Sequence, residues 1–138
     1  MSFADDLRNI SSKSSMEREE ECFRNFIRRA NVVERICSKI QSSCRMAANE
    51  GHRSVRVTDE YFIHMYREYD IAFRCCHSVG GIFSKRTIKS IVIAEELAPK
   101  LTNFCDKLGL NIKSVGGYFE SGGSDAPDSY IFYADISW

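Results

Sequence analysis

Nowhere in its 138 residues does this chain hold an apolar run approaching the roughly 18 residues that a membrane-spanning helix needs. That absence argues against a membrane protein of the helical kind. The opening residues, MSFADDLRNISSKSS, carry two aspartates and no apolar h-region, so a secretory signal is not expected there. Net charge is missing as well: 19 basic and 19 acidic side chains cancel, and the pI is near 6.8. A neutral chain lacks the cationic field by which nucleic-acid-binding domains gather phosphate, and no recognised reader motif occurs. Proline and glycine are absent over the whole span from Met16 to Glu50, which removes the usual helix breakers from a quarter of the chain.

What is present is ordinary for one globular domain: 43% hydrophobic and 28% charged residues. Six cysteines sit inside apolar patterns rather than in loops. Without a secretory signal they are expected to be reduced thiols acting as small core residues of a cytoplasmic protein. The zero net charge conceals a segregation: −3 over residues 1–21, +6 over 22–57, +1 over 58–93 and −4 over 94–138. Such a pattern points to a cationic surface in one place and an anionic one in another.

Periodicity divides the chain into elements. Phe3, Leu7 and Ile10 share one side of a short N-terminal segment, residues 1–15, that ends in the polar run SSKSS. Ser14 then stands three residues before Glu17, the spacing of a capping box. Phe23, Phe26, Ala30, Val33, Cys37, Ile40, Cys44 and Ala47 follow by threes and fours. They predict one long helix from about Met16 to Asn49, ended by Gly51, at the start of a single domain covering residues 16–138. SVRVT predicts a short strand with Val55 and Val57 on one face. Helical spacing from Phe62 through Val79 predicts a second helix, from about Asp59 to Ser78, stopped by Gly80 and Gly81. The β-branched TIKSIVIA, Thr87 to Ala94, reads as a buried strand. EELAPKLTNFCDKLGL reads as a third helix, with Pro99 in its first turn and Gly109 at its close. NIKSVGGYF and SYIFYADISW form an antiparallel hairpin across the polar loop ESGGSDAPD. The expected fold is therefore α+β: a long N-terminal helix plus two further helices on a small, largely antiparallel sheet of about four strands.

AANEGHRSVRV (Ala47 to Val57), LGLNI (Leu108 to Ile112) and the terminal YADISW (Tyr133 to Trp138) together resemble small uncharacterised α+β proteins common in phages and prophages. Those pair a helix ending A-A-x-x-G-x-x-S-V with a strand, an L-x-x-L-G helix end, and a last strand finishing I-S-W. The match covers about half the chain, and the Asp59–Ser84 segment departs from the compact version of the pattern. The resemblance implies a fold and a mobile-element origin. It brings no activity with it.

Three chemistries suggest themselves at AFRCCHSVGG (Ala72 to Gly81). Zinc needs four converging ligands, commonly from C-x₂₋₄-C pairs, and contiguous Cys75, Cys76 and His77 on a helix diverge. A nucleophile and its base meet from separate elements, so Cys75 beside His77 is no dyad. Gly80, Gly81 and Lys85 miss the spacing of a phosphate loop, and the glycines follow a helix rather than a strand. No metal, cofactor or catalytic set is expected.

Charge offers better candidates. With the apolar stripe turned inward, Arg24, Arg28, Arg35, Lys39 and Arg45 fall on the outer side of the long helix, as a cationic ridge. Glu120, Asp125 and Asp128 sit in a glycine-rich loop longer than a hairpin needs. These eight residues are the expected partner-binding positions. The expected function is that of a phage or mobile-element interaction protein in the host cytoplasm. It would bind and inhibit a host protein, for instance one that holds nucleic acid, as anti-CRISPR and other antidefence inhibitors do. The alternative is a nucleic-acid-binding accessory protein using the cationic helix. A homodimer seam along that helix is a further option.

Overall fold

In a computed structural model, which describes residues 2–73 and 85–138, the chain begins with α1 (Phe3–Arg29), α2 (Val32–Asn49) and β1 (Ser54–Phe62). Two 3-10 turns (Ile63–Met65 and Arg67–Tyr69) lead to α3 (Asp70–Phe73). Then come α4 (Lys85–Glu96), α5 (Ala98–Lys107), β2 (Asn111–Glu120) and β3 (Ser129–Ser137). The class is α+β and the N-terminal helix is long, as the sequence predicts. The sheet has three antiparallel strands, ordered β1-β3-β2, rather than about four.

Central β3 shows why the helices lie on one side. Tyr130, Phe132, Ala134 and Ile136 are buried, and their cross-strand partners Tyr61, Asp59 and Val57 on β1 are buried with them. The other side carries Arg56, Thr58 and Glu60 of β1 and Ser114, Tyr118 and Glu120 of β2, all exposed. The covered side packs against an aromatic cluster centred on Phe26, whose ring meets Phe73 edge-on at 4.6 Å and Tyr61 at 5.1 Å.

Helix ends follow local chemistry. Past α2, Gly51 takes φ +87° while the His52 and Gly51 amides donate to the Ala47 and Ala48 carbonyls. Gly109 repeats the arrangement past α5, with Leu110 and Gly109 donating to Cys105 and Asp106. Both are glycine-terminated Schellman motifs.

Four expectations need correction. First, α1 starts at Phe3 rather than near Met16, because Ser2 and Asp5 cap each other reciprocally. The serine run stays helical, since serine is only mildly unfavourable there and no glycine or proline joins it. Second, the long helix is not continuous to Asn49. It breaks at Asn31, which adopts φ 55° and ψ 45°, a left-handed conformation that asparagine tolerates. Third, the segment from Asp59 is not a helix at its start. β1 runs on to Phe62 with Val57, Asp59 and Tyr61 alternately buried, and only the 3-10 turns and α3 follow. Fourth, TIKSIVIA is helical, within α4. Burial at Lys89, Val92, Ile93, Glu96 and Leu97 has the three-and-four spacing of a helix face, and packing on the sheet overrides the β-branched preference. Residues Cys75, Cys76, His77, Gly80 and Gly81 lie outside the described residues.

Candidate functional site

The cations expected to form an open ridge are mostly committed to carboxylates of the chain itself. Arg24 lies between helices: its Nη1 donates to Glu96 Oε1 at 2.7 Å, and its Nη2 to Glu95 Oε2 at 2.7 Å and Glu20 Oε1 at 3.1 Å. Arg28 grips Glu96 from the next turn, through Nη2 to Oε1 at 2.8 Å and Nε to Oε2 at 3.1 Å. These bonds, Arg28's foremost, hold the Glu96 carboxyl below its ordinary range although burial opposes them. The carboxylates in turn raise the Arg24 guanidinium.

A second latch joins α2 to β1. Asp59 is only 2% exposed, and its Oδ1 accepts from Lys39 Nζ at 2.7 Å and Arg35 Nη2 at 3.3 Å. Arg35 Nε lies 3.0 Å from Oδ2, and its guanidinium sits 5.0 Å over the Tyr61 ring. Burial pushes the Tyr61 hydroxyl well above its ordinary range. Only Arg45 among the five is both exposed and without an ion pair among the described residues. The ridge is thus corrected to two intramolecular latches, because Glu95, Glu96 and Asp59 are counterions rather than helix-start residues.

The acidic hairpin has the opposite character. Glu120 ends β2, and both it and Asp125 are exposed. Asp128 pins the loop: its Oδ1 accepts from the Gly122 amide at 3.1 Å and its carbonyl from the Ile63 amide at 3.0 Å. The turn is tight enough that a Cβ on Gly122 would strike the Ala126 carbonyl. Glu60 adds a fourth carboxylate across the sheet, where it accepts from the Ser129 hydroxyl at 2.9 Å. The loop backbone is thus braced at Gly122 and Asp128, while the Glu120 and Asp125 side chains stay exposed.

Sequence reasoning missed the uncovered sheet face beside that loop. Tyr133 of β3 lies flat across β2, so close that a Cβ on Gly116 would fall 2.5 Å from its hydroxyl. Arg56 stacks on the same ring at 4.0 Å and forms a bidentate pair with Asp135, Nε to Oδ1 at 2.7 Å and Nη2 to Oδ2 at 2.9 Å. Ser114 adds a third bond to Asp135 at 2.6 Å, and the arginine bonds chiefly lower the carboxyl's affinity for protons. Tyr118, 40% exposed, stands 6.1 Å from the Tyr133 ring. The paired glycines in NIKSVGGYF were the available signal, since glycine inside a strand marks close approach of another group. Around them a cavity of about 420 Å³ opens at the β2 edge, lined by Gly116, Gly117, Tyr118, Tyr130, Tyr133 and Lys89. The Lys89 amine there donates to the Phe73 carbonyl at 2.6 Å.

The described thiols occupy apolar surroundings. Cys22, Cys37 and Cys44 are half-buried and Cys105 is buried. Burial raises all four, Cys105 to about 11, which suppresses the reactive thiolate. Among the described residues, no three His, Cys, Asp or Glu side chains gather as a metal site, and no helix is long and apolar enough to cross a membrane.

Fold and surface together define an α+β domain with a one-sided three-stranded sheet, whose open face is aromatic and edged with carboxylates. Comparison with protein-family models, with curated proteins and with solved structures returns no match in any of the three.

Proposed function

We propose that this chain is a non-enzymatic interaction protein of phage or mobile-element type that binds and inhibits a host protein in the host cytoplasm, in the manner of antidefence inhibitors. It docks through the open sheet face and the acidic hairpin onto a basic surface of that partner, of the kind that holds nucleic acid. One observation carries this reading: four of the five helix cations are tied to internal carboxylates, while Glu120, two residues past Tyr118 at the end of β2, and Asp125, on the loop that follows, stand exposed. Aromatic anchors flanked by complementary charge suit protein recognition, the charge steering encounter and the rings supplying buried contact. The nucleic-acid alternative asks for free cations where Arg24, Arg28, Arg35 and Lys39 are already paired.

The test is capture from nuclease-treated bacterial lysate by the immobilised chain, followed by mass spectrometry. Wild type and Arg45→Glu should retain the same specific partner, and heparin should compete with it. Glu120→Lys with Asp125→Lys, or Tyr118→Glu alone, should lose it. Capture unaffected by those changes refutes the reading. So does steeply salt-dependent binding of nucleic acid by the chain itself that Arg45→Glu abolishes.

A further inference from the structure

The N-terminal half of α1 carries a surface used by neither the core nor the proposed partner face. Phe3, Leu7 and Ile10 are 77%, 47% and 63% exposed, and no described residue of α1 before Phe23 is buried. At about 100° per residue these three side chains gather around one direction of the helix, while Phe23, Phe26, Ile27 and Ala30 gather roughly on the opposite side. The helix is thus fastened to the body by its far end on one face and displays an apolar stripe on the other. None of the described residues covers that stripe. An arm of this length is marginal as an isolated helix in water. The capping box and the Arg8–Asp5 pair at 2.9 Å start the helix, but the stripe adds stability only when covered.

We propose that residues 3–14 pair antiparallel with the same segment of a second copy, about a twofold axis. Phe3, Leu7, Ile10 and Ser14 follow the four-three-four spacing of a two-helix seam. In the antiparallel register Leu7 meets Ile10 of the second copy, and Phe3 lies over its small Ser14. The flanks then set Asp6 opposite Lys13 on one side and Ala4 opposite Ser11 on the other, each pairing occurring twice by symmetry. Opposite charges meet on one flank and small residues on the other. A parallel pair instead sets Lys13 against Arg18, a like-charge contact. This complementarity is written entirely in the segment's own residues, which is why a second copy is the occupant. With three large apolar side chains from each chain, the seam is far smaller than the roughly 1,600 Å² of a standard interface. The dimer is accordingly weak and concentration-dependent.

Sedimentation velocity over about a hundredfold concentration range, from micromolar toward millimolar, tests this. Wild type should shift from monomer to dimer. Leu7→Glu with Ile10→Glu should stay monomeric throughout, with unchanged circular dichroism, since both positions are exposed. Asp6→Lys and Lys13→Asp should each weaken dimerisation alone. An equimolar mixture of the two single variants should restore it, because both flank pairs of the mixed dimer join opposite charges. Wild type remaining monomeric, a Leu7→Glu/Ile10→Glu variant that still dimerises, or a mixture that fails to recover overturns the proposal. It is equally overturned if wild type stays monomeric while Leu7→Glu/Ile10→Glu loses a protein captured from lysate, since the stripe then belongs to that other protein.

Discussion

Removing the two cations that face Asp59 should cost more than removing Asp59, and the difference follows from where each charge sits. Asp59 is 2% exposed on the covered side of β1, whereas the side chains of Arg35 and Lys39 remain 49% and 43% exposed. Arg35→Met with Lys39→Met leaves a carboxylate beneath α2 with neither water nor counterion, a loss of about 3–5 kcal/mol. In Asp59→Asn the two cations can turn outward into water, and the amide oxygen still accepts from Lys39. The loss there is the charge-assisted part of three contacts, discounted for solvent screening, about 1–2 kcal/mol. Asp59→Leu combined with both methionines replaces the ionic cluster by apolar groups and should return to within about 1 kcal/mol of wild type. Against a total stability of about 5–15 kcal/mol, urea unfolding at neutral pH, followed by circular dichroism, resolves these steps. The reasoning fails if Asp59→Asn costs as much as the double cation variant, or if that variant loses less than about 1 kcal/mol.

Two further outcomes follow from the same contacts. The Glu96 and Asp135 carboxyls bind protons more weakly in the folded chain than in the unfolded one. Their stabilisation is therefore complete above the ordinary carboxylate range and is lost progressively as pH falls from that range through the lower folded-state values. Urea midpoints measured down that range should fall less steeply for Glu96→Gln than for wild type; an unchanged slope denies Glu96 its share. The adjacent strand glycines should also differ. A Cβ on Gly116 meets the outer end of the half-exposed Tyr133 ring, which can swing away, and Gly116→Ala should cost under about 1 kcal/mol. A Cβ on Gly117 lies 2.7 Å from a Tyr130 ring carbon and 3.0 Å from Ile93 Cδ1, both buried, so Gly117→Ala should cost about 1–3 kcal/mol. Equal losses in thermal unfolding would contradict this division of the two sides of β2.

The hairpin, both glycine-ended helices and the α+β class were legible because turn chemistry and period act locally. The errors at Asp59 and at Glu95–Glu96 were those of long-range pairing. TDE at Thr58–Glu60 has the composition of a helix start, yet Asp59 continues the alternation of β1 because Arg35 and Lys39 neutralise it from α2. Glu95 and Glu96 suit a first helical turn, yet they end α4 and meet Arg24 and Arg28. The same pairings hid the fate of the basic helix, so one misjudgement about carboxylates produced both the wrong boundaries of β1 and α4 and the expected ridge. The break at Asn31 had a subtler trace. Phe23, Phe26 and Ile27 share one stripe, but Val32, Ile36 and Ile40 lie about a third of a turn around the axis from it, and one straight helix cannot bury both sets.

These corrections change what the charge segregation means. Much of the +6 excess of residues 22–57 is answered within the chain: Arg24 and Arg28 draw on Glu20, Glu95 and Glu96, Arg35 and Lys39 draw on Asp59, and Arg56 draws on Asp135. Positive charge in one part of the chain therefore serves to clamp α1 and α2 onto α4 and β1. The hairpin carboxylates Glu120 and Asp125, in the −4 segment, receive no such cation among the described residues. A neutral chain thus folds to leave an acidic end on its open sheet face. Under the proposed function a basic partner surface relieves that imbalance, and the rings of Tyr118 and Tyr133 beside it supply the buried contact.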